Sequence, residues 1–199
     1  MHKKKVIVTG GSGVIGEAIC VKLSEEFDVS IGFYKSEKAA LKVLSKCNEV
    51  RKSNHETICL ENIKSFINSA EFNDFHVFVH CAGFSDETQI LNISTEQFQK
   101  QIDLSLFSFH ELAKKFIPFM KKNNFGRFIF ISSIGSIEGG TRQAHYAAAK
   151  AATNSYVRSL GREYGEFGIT ANSLLVGLVK TPMIKNEIKD GSLKYKIDK

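Results

Sequence analysis

Six short apolar runs, each separated from the next by a longer segment, leave this chain few ways to fold. The runs are Lys5 to Thr9, Asp28 to Tyr34, Glu56 to Leu60, Phe75 to His80, Arg127 to Ser132 and Thr170 to Val176. In "RFIFIS" and others, apolar residues occupy successive positions, the pattern of a strand buried on both faces. Helical spacing fills the gaps: Val14 to Glu26, Glu37 to Lys46, Ile63 to Ala70, Ser94 to Lys122 and Gln143 to Glu166. Ile15, Ala18, Ile19 and Leu23 share one face of the first helix. Ser94 and Gln97 have the spacing of a capping box, and Pro118 is expected to kink the long helix that they open.

Buried strands joined by helices imply a parallel sheet covered on both sides, with right-handed crossovers. The expected fold class is therefore α/β, a doubly wound, Rossmann-like sheet in three α/β/α layers. No repeat, linker or low-complexity stretch divides the chain. Residues 1–199 read as one domain ending in a polar, lysine-rich tail at 184–199. Lys+Arg 27 against Asp+Glu 21 gives a net charge of +6, but the lysines are scattered, which argues against nucleic acid as a partner. No apolar stretch approaches the roughly 20 residues of a membrane helix, so a membrane is not expected. Cys20, Cys47, Cys59 and Cys81 lack metal-ligand spacing, as do the histidines, and no metal site is expected. Reduced thiols and the absence of a secretory leader suit a cytoplasmic protein.

The stretch "TGGSGVIG" lies between the first strand and the first helix. There, helix N-terminal amides and the helix dipole favour a pyrophosphate. Gly10 would make the turn, Gly13 would admit the ligand and Gly16 would let the helix approach the sheet, with Ser12, Val14 and Ile15 beside them. The end of the second strand reads Tyr34, Lys35, Ser36, with no acid before Glu37. A basic residue and a hydroxyl suit the 2′-phosphate of NADP(H) better than the bare ribose of NAD.

Tyr146 and Lys150 stand four apart in a helical pattern, on one face, and Ser133 ends the fifth run. A carbonyl being reduced needs a proton donor. Tyrosine, with a pKa of about 10, needs a cation nearby to serve at neutral pH. Lys150 would supply that cation, and Ser133 a hydrogen bond to the developing oxyanion.

These residues resemble the short-chain dehydrogenase/reductase family, and most nearly its 3-oxoacyl-acyl-carrier-protein reductase branch, from Lys5 to about Met183. "TGGSGVIG" is similar to the family's cofactor turn. "HCAG" resembles its Asn-Asn-Ala-Gly element and brings Cys81, Ala82 and Gly83 to the cofactor. Ser133, Tyr146 and Lys150 fall on the catalytic serine, tyrosine and lysine. "NSLLVGLVKTPM" resembles the segment over the nicotinamide, which implies cofactor contacts from Gly177, Val179 and Thr181. Tyr146 and Lys150 would also touch the cofactor, Lys150 through the nicotinamide ribose. Asp103 stands where the family has a fourth catalytic residue, an asparagine that holds a relay water. A plain buried polar group of the helix is the other reading of Asp103.

Further departures are Val14 for the middle glycine, His80 and Cys81 for the two asparagines, Cys59 for an acid near the adenine, and Val176 for a proline. The chain also stops before the family's last helices and strand, as a short form or a truncated one. The resemblance implies reduction of a ketone, a 3-oxoacyl thioester or similar small carbonyl, free or carrier-bound, by NADPH in a homo-oligomer, a dimer or tetramer. Alcohol oxidation at the same site, and a non-catalytic dinucleotide-binding scaffold, are the alternatives.

Overall fold

A computed structural model describes residues 3–59, 63–68 and 72–179. Their strands are β1 (Lys5–Thr9), β2 (Asp28–Phe33), β3 (Glu56–Cys59), β4 (Val77–His80), β5 (Gly126–Ser133) and β6 (Ile169–Val176). All pair in parallel, in the order β3-β2-β1-β4-β5-β6. The helices are α1 (Val14–Leu23), α2 (Glu37–Val50), α3 (Ile63–Asn68), α4 (Thr95–Ile102), α5 (Ser108–Lys122), α6 (Gly135–Glu138) and α7 (Ala144–Tyr164). This is the expected doubly wound sheet. The chain winds outward from β1 to β3, then returns to lay β4 on the other side of β1. Connections leave in opposite directions at that point, and a crevice opens beyond the carboxyl ends of the strands.

Alternation along β1 shows why the runs are apolar throughout. Val6 and Val8 face one layer, packing with Val29, Ile31, Cys20, Ala40 and Val43. Ile7 faces the other, with Phe78, Phe109, Phe116 and Phe128. Edge-to-face contacts organise the second layer, Phe75 and Phe78 meeting Phe116 at 5.3 and 5.5 Å between centroids.

The structure departs from the sequence reading at several element ends. Helix α2 runs on to Val50, because Cys47 continues the buried face of Ala40 and Val43. Helix α1 stops at Leu23, where the Ser24 hydroxyl donates to the Val21 carbonyl at 2.7 Å. The capping box at Ser94 is formed, but the single helix expected from Ser94 to Lys122 is interrupted. Asp103–Phe107 form one wide π turn, and α5 continues through Pro118 to Lys122. The cause is the Leu104 carbonyl, which accepts from Nε2 of His80 at 3.0 Å and from the Ser108 hydroxyl. The expected ends at Leu60 and Ala70, and the tail at 184–199, lie outside the described residues. Among those residues, no helix is long and apolar enough to cross a membrane.

Candidate active site

The crevice is a cleft of about 1990 Å³. Every site residue named from the sequence lines it except Thr181, which lies outside the described residues. Gly10, Ser12, Gly13, Val14, Ile15 and Gly16 form its floor between β1 and α1. Gly10 has φ +66°, and a Cβ there would meet the Ala82 backbone at 2.8 Å. A Cβ on Gly16 would overlap the Gly10 carbonyl. Gly16 is thus required by the turn itself, not by the sheet as the sequence suggested. Gly13 is the N-cap of α1 and makes no side-chain cap bond, which leaves the first-turn amides facing the cleft. A tight turn of backbone donors at a helix N-terminus fits a pyrophosphate.

At the end of β2, Tyr34, Lys35 and Ser36 are exposed on the cleft rim. Lys35 Nζ lies 5.0 Å from the Tyr34 ring centroid. Ser36 caps α2 by position, yet its hydroxyl makes no cap bond. The Cys59 side chain lies outside the described residues. Cys81, Ala82 and Gly83 leave β4 directly over the glycine turn. Cys81 is a free thiol, pushed up to about 11 by burial. Gly177 and Val179 follow β6 on the opposite wall.

The catalytic candidates converge from β5 and α7. Register pairs Ser133 with Val176 at the sheet's carboxyl end. The Ser133 hydroxyl accepts from the Gly135 amide at 3.2 Å and acts on the Tyr146 phenol so as to lower its pKa. One turn on, Lys150 is 3% exposed, and its Nζ donates to the Ile131 carbonyl at 2.9 Å. That ammonium lies 4.5 Å from the Phe130 ring centroid and 5.7 Å from that of Tyr146. Burial holds Lys150 down to about 8. The phenol does not follow the sequence expectation. Burial raises the Tyr146 pKa, and the Ser133 hydroxyl draws it back only in part. The ammonium is turned toward Ile131 and does not bond the phenol oxygen. Asp103 opens the wide turn with its carboxylate exposed, accepting from Nε2 of Gln99 at 2.7 Å, so it is not a buried polar group. Its carbonyl accepts from the Ser108 amide.

His80 is a structural member of the site that the sequence marked only as a departure. It is 1% exposed, and Nδ1 accepts from the Thr9 hydroxyl at 2.8 Å while Nε2 donates to Leu104. Burial, with Lys150 close by, holds it down to about 3. The ring therefore stays neutral and ties β1 and β4 to the wide turn.

The family profile of the short chain dehydrogenases matches residues 4–191. The chain belongs to this family. The 3-oxoacyl-acyl-carrier-protein reductase FabG of Haemophilus influenzae is 31% identical over 97% of the chain and 82% of its own length. That of Vibrio cholerae is 29% identical over 93% and 77%. Among solved structures, the fold matches L-sorbose reductase from Gluconobacter frateurii, complexed with NADPH and L-sorbose. The TM-score is 0.86 at 20% identity, over 96% of this chain and 76% of that one. This short chain dehydrogenase is thus an oxidoreductase of a family that binds NAD(P), and its glycine turn fits such a dinucleotide. Behind the cleft wall the fold pairs Asp86, which the sequence reading did not single out, with the buried His145 at 2.8 Å.

Proposed function

We propose that this chain reduces a small ketone, a 3-oxoacyl thioester or a close analogue, with NADPH. The observation that carries the reading is the grouping of Ser133, Tyr146 and Lys150 in one cleft with a turn in which Gly10 and Gly16 leave no room for a side chain. Bound NADPH supplies the hydride. Tyr146 donates the proton to the carbonyl oxygen, Ser133 orients that oxygen by a hydrogen bond, and Lys150 places positive charge beside the developing anion. Asp103, on the same wall, takes the place of the family's relay residue. Lys35 and Ser36 hold the 2′-phosphate, a preference supported by the absence of a carboxylate before Glu37. The protein acts as a cytoplasmic homo-oligomer. The half-exposed Phe98 and Phe107, on α4 and the wide turn, support association through that face.

Fluorescence titration with NADPH and with NADH, then NADPH consumption with acetoacetyl coenzyme A, tests this. The expected result is tighter NADPH binding, lost selectively in Lys35→Glu, and consumption of NADPH when the ketone is added. Equal affinity for both cofactors, or no consumption, would contradict it.

A further inference from the structure

One carboxylate outside the catalytic set ties three parts of the cleft wall together. Asp86 stands in the loop after β4, between Ser85 and Glu87, which both line the cleft. Its Oδ1 accepts from Nε2 of His145 at 2.8 Å and from Nε2 of Gln101 at 3.0 Å. Its Oδ2 accepts from Nε2 of Gln97 at 3.3 Å. Gln97 is the capping-box residue of α4, and it also donates to the Thr88 hydroxyl at 3.2 Å. The Thr88 amide in turn donates to the Arg142 carbonyl at 2.8 Å, just before α7. Arg142 has φ +60°, a conformation that a non-glycine residue holds only when its surroundings fix it.

His145 is the key to what this network does. The ring is fully buried in the first turn of α7, and its Nδ1 is buried without a hydrogen-bond partner. Among the described residues, Asp86 is therefore the one polar anchor of that ring. The next residue in the chain is Tyr146. Partial burial pushes the Asp86 carboxyl up, but the bonds from His145 and Gln101 outweigh it and hold the group below the usual carboxylate range.

We infer that Asp86 is a positioning residue that, through His145, fixes the rotation of the first turn of α7 against the substrate-side loop and so aims the Tyr146 hydroxyl. The inference rests on the reading of Tyr146 as proton donor, but the coupling it asserts is measurable without a substrate. Removing the carboxylate leaves Nε2 of His145 a buried donor with nothing to meet, and the loop and the helix end then loosen together.

The test is amide hydrogen exchange on the full chain, comparing wild type with Asp86→Ala and Asp86→Asn. Two amides report the coupling: Thr88, bonded to Arg142, and Ala147, bonded to Gln143 in the first turn of α7. In Asp86→Ala both are expected to exchange about tenfold faster, the effect of losing a charge-assisted bond. The Glu17 amide, bonded to Gly13 in the cofactor turn, stays unchanged. Asp86→Asn, which keeps an acceptor for His145, restores most of the protection. Faster exchange at Thr88 alone, or at neither amide, would overturn the inference. Should Asp86→Ala not fold, Asp86→Glu displaces the oxygens by one methylene and must speed both amides, by less; Thr88 alone would again overturn it. With acetoacetyl coenzyme A, Asp86→Ala is expected to lower kcat while leaving the KM for NADPH unchanged. If the wild type consumes no NADPH, the ketone reading fails and the exchange result still stands on its own.

Discussion

Nζ of Lys150 donates to the carbonyl oxygen of Ile131 at 2.9 Å, so a buried ammonium bridges α7 and β5 at the centre of the cleft. Its pKa is held down to about 8 by burial, below its value in the unfolded chain. The unfolded chain therefore binds more protons between about pH 8 and 10.5, and native stability rises with pH across that window. At pH 7 the whole desolvation cost is present. Lys150→Met keeps the stem and removes the charge. Turnover is expected to fall by about 10² or more, while the urea midpoint at pH 7 does not fall. Urea titrations at pH 7 and 9.5 check this, with the wild type gaining on the variant at the higher pH.

His80 carries the opposite lesson, a base kept neutral for architecture. The unfolded histidine takes a proton near pH 6.5, while the native ring resists to about pH 3. Stability owed to the neutral ring is complete above pH 6.5 and is lost as pH falls toward 3. Between pH 7 and 4 the wild type is expected to lose about 2–3 kcal/mol more than His80→Asn does. Urea midpoints of both proteins at the two pH values measure the difference. Parallel losses would remove His80 from the acid limb.

The glycine turn separates two effects that are usually confounded. A Cβ on Gly16 overlaps the Gly10 carbonyl, whereas one on Gly13 meets the same oxygen at 3.3 Å. Gly16→Ala is expected to cost about 2–3 kcal/mol of stability together with NADPH binding. Gly13→Ala is expected to cost about 1 kcal/mol or less, and to weaken NADPH binding by crowding the approach to the first-turn amides. Thermal melts and fluorescence titrations on the two variants distinguish them.

The strands were legible because burial on both faces leaves unbroken apolar runs, and the parallel, doubly wound class of the sheet followed from their alternation with helices. Tyr146 and Lys150 were legible as a pair because helical spacing alone places them on one face. The wide turn at Asp103 was not, because its cause is His80, 24 residues before the Leu104 carbonyl that it holds. Asp86 and His145 are 59 residues apart, and neither carries a motif. The direction of the Tyr146 pKa was also hidden. It depends on how deeply the phenol is buried and where the lysine turns, and spacing records neither.

The most direct measurement is the rate of NADPH oxidation with acetoacetyl coenzyme A by Tyr146→Phe beside the wild type, with NADPH affinity followed by fluorescence. Phenylalanine keeps the ring and deletes the proton donor. The expected result is a fall in kcat of about 10² or more, with NADPH affinity unchanged within about twofold. A variant that turns over at the wild-type rate would contradict the assignment of Tyr146, and with it the reductase chemistry proposed for this cleft.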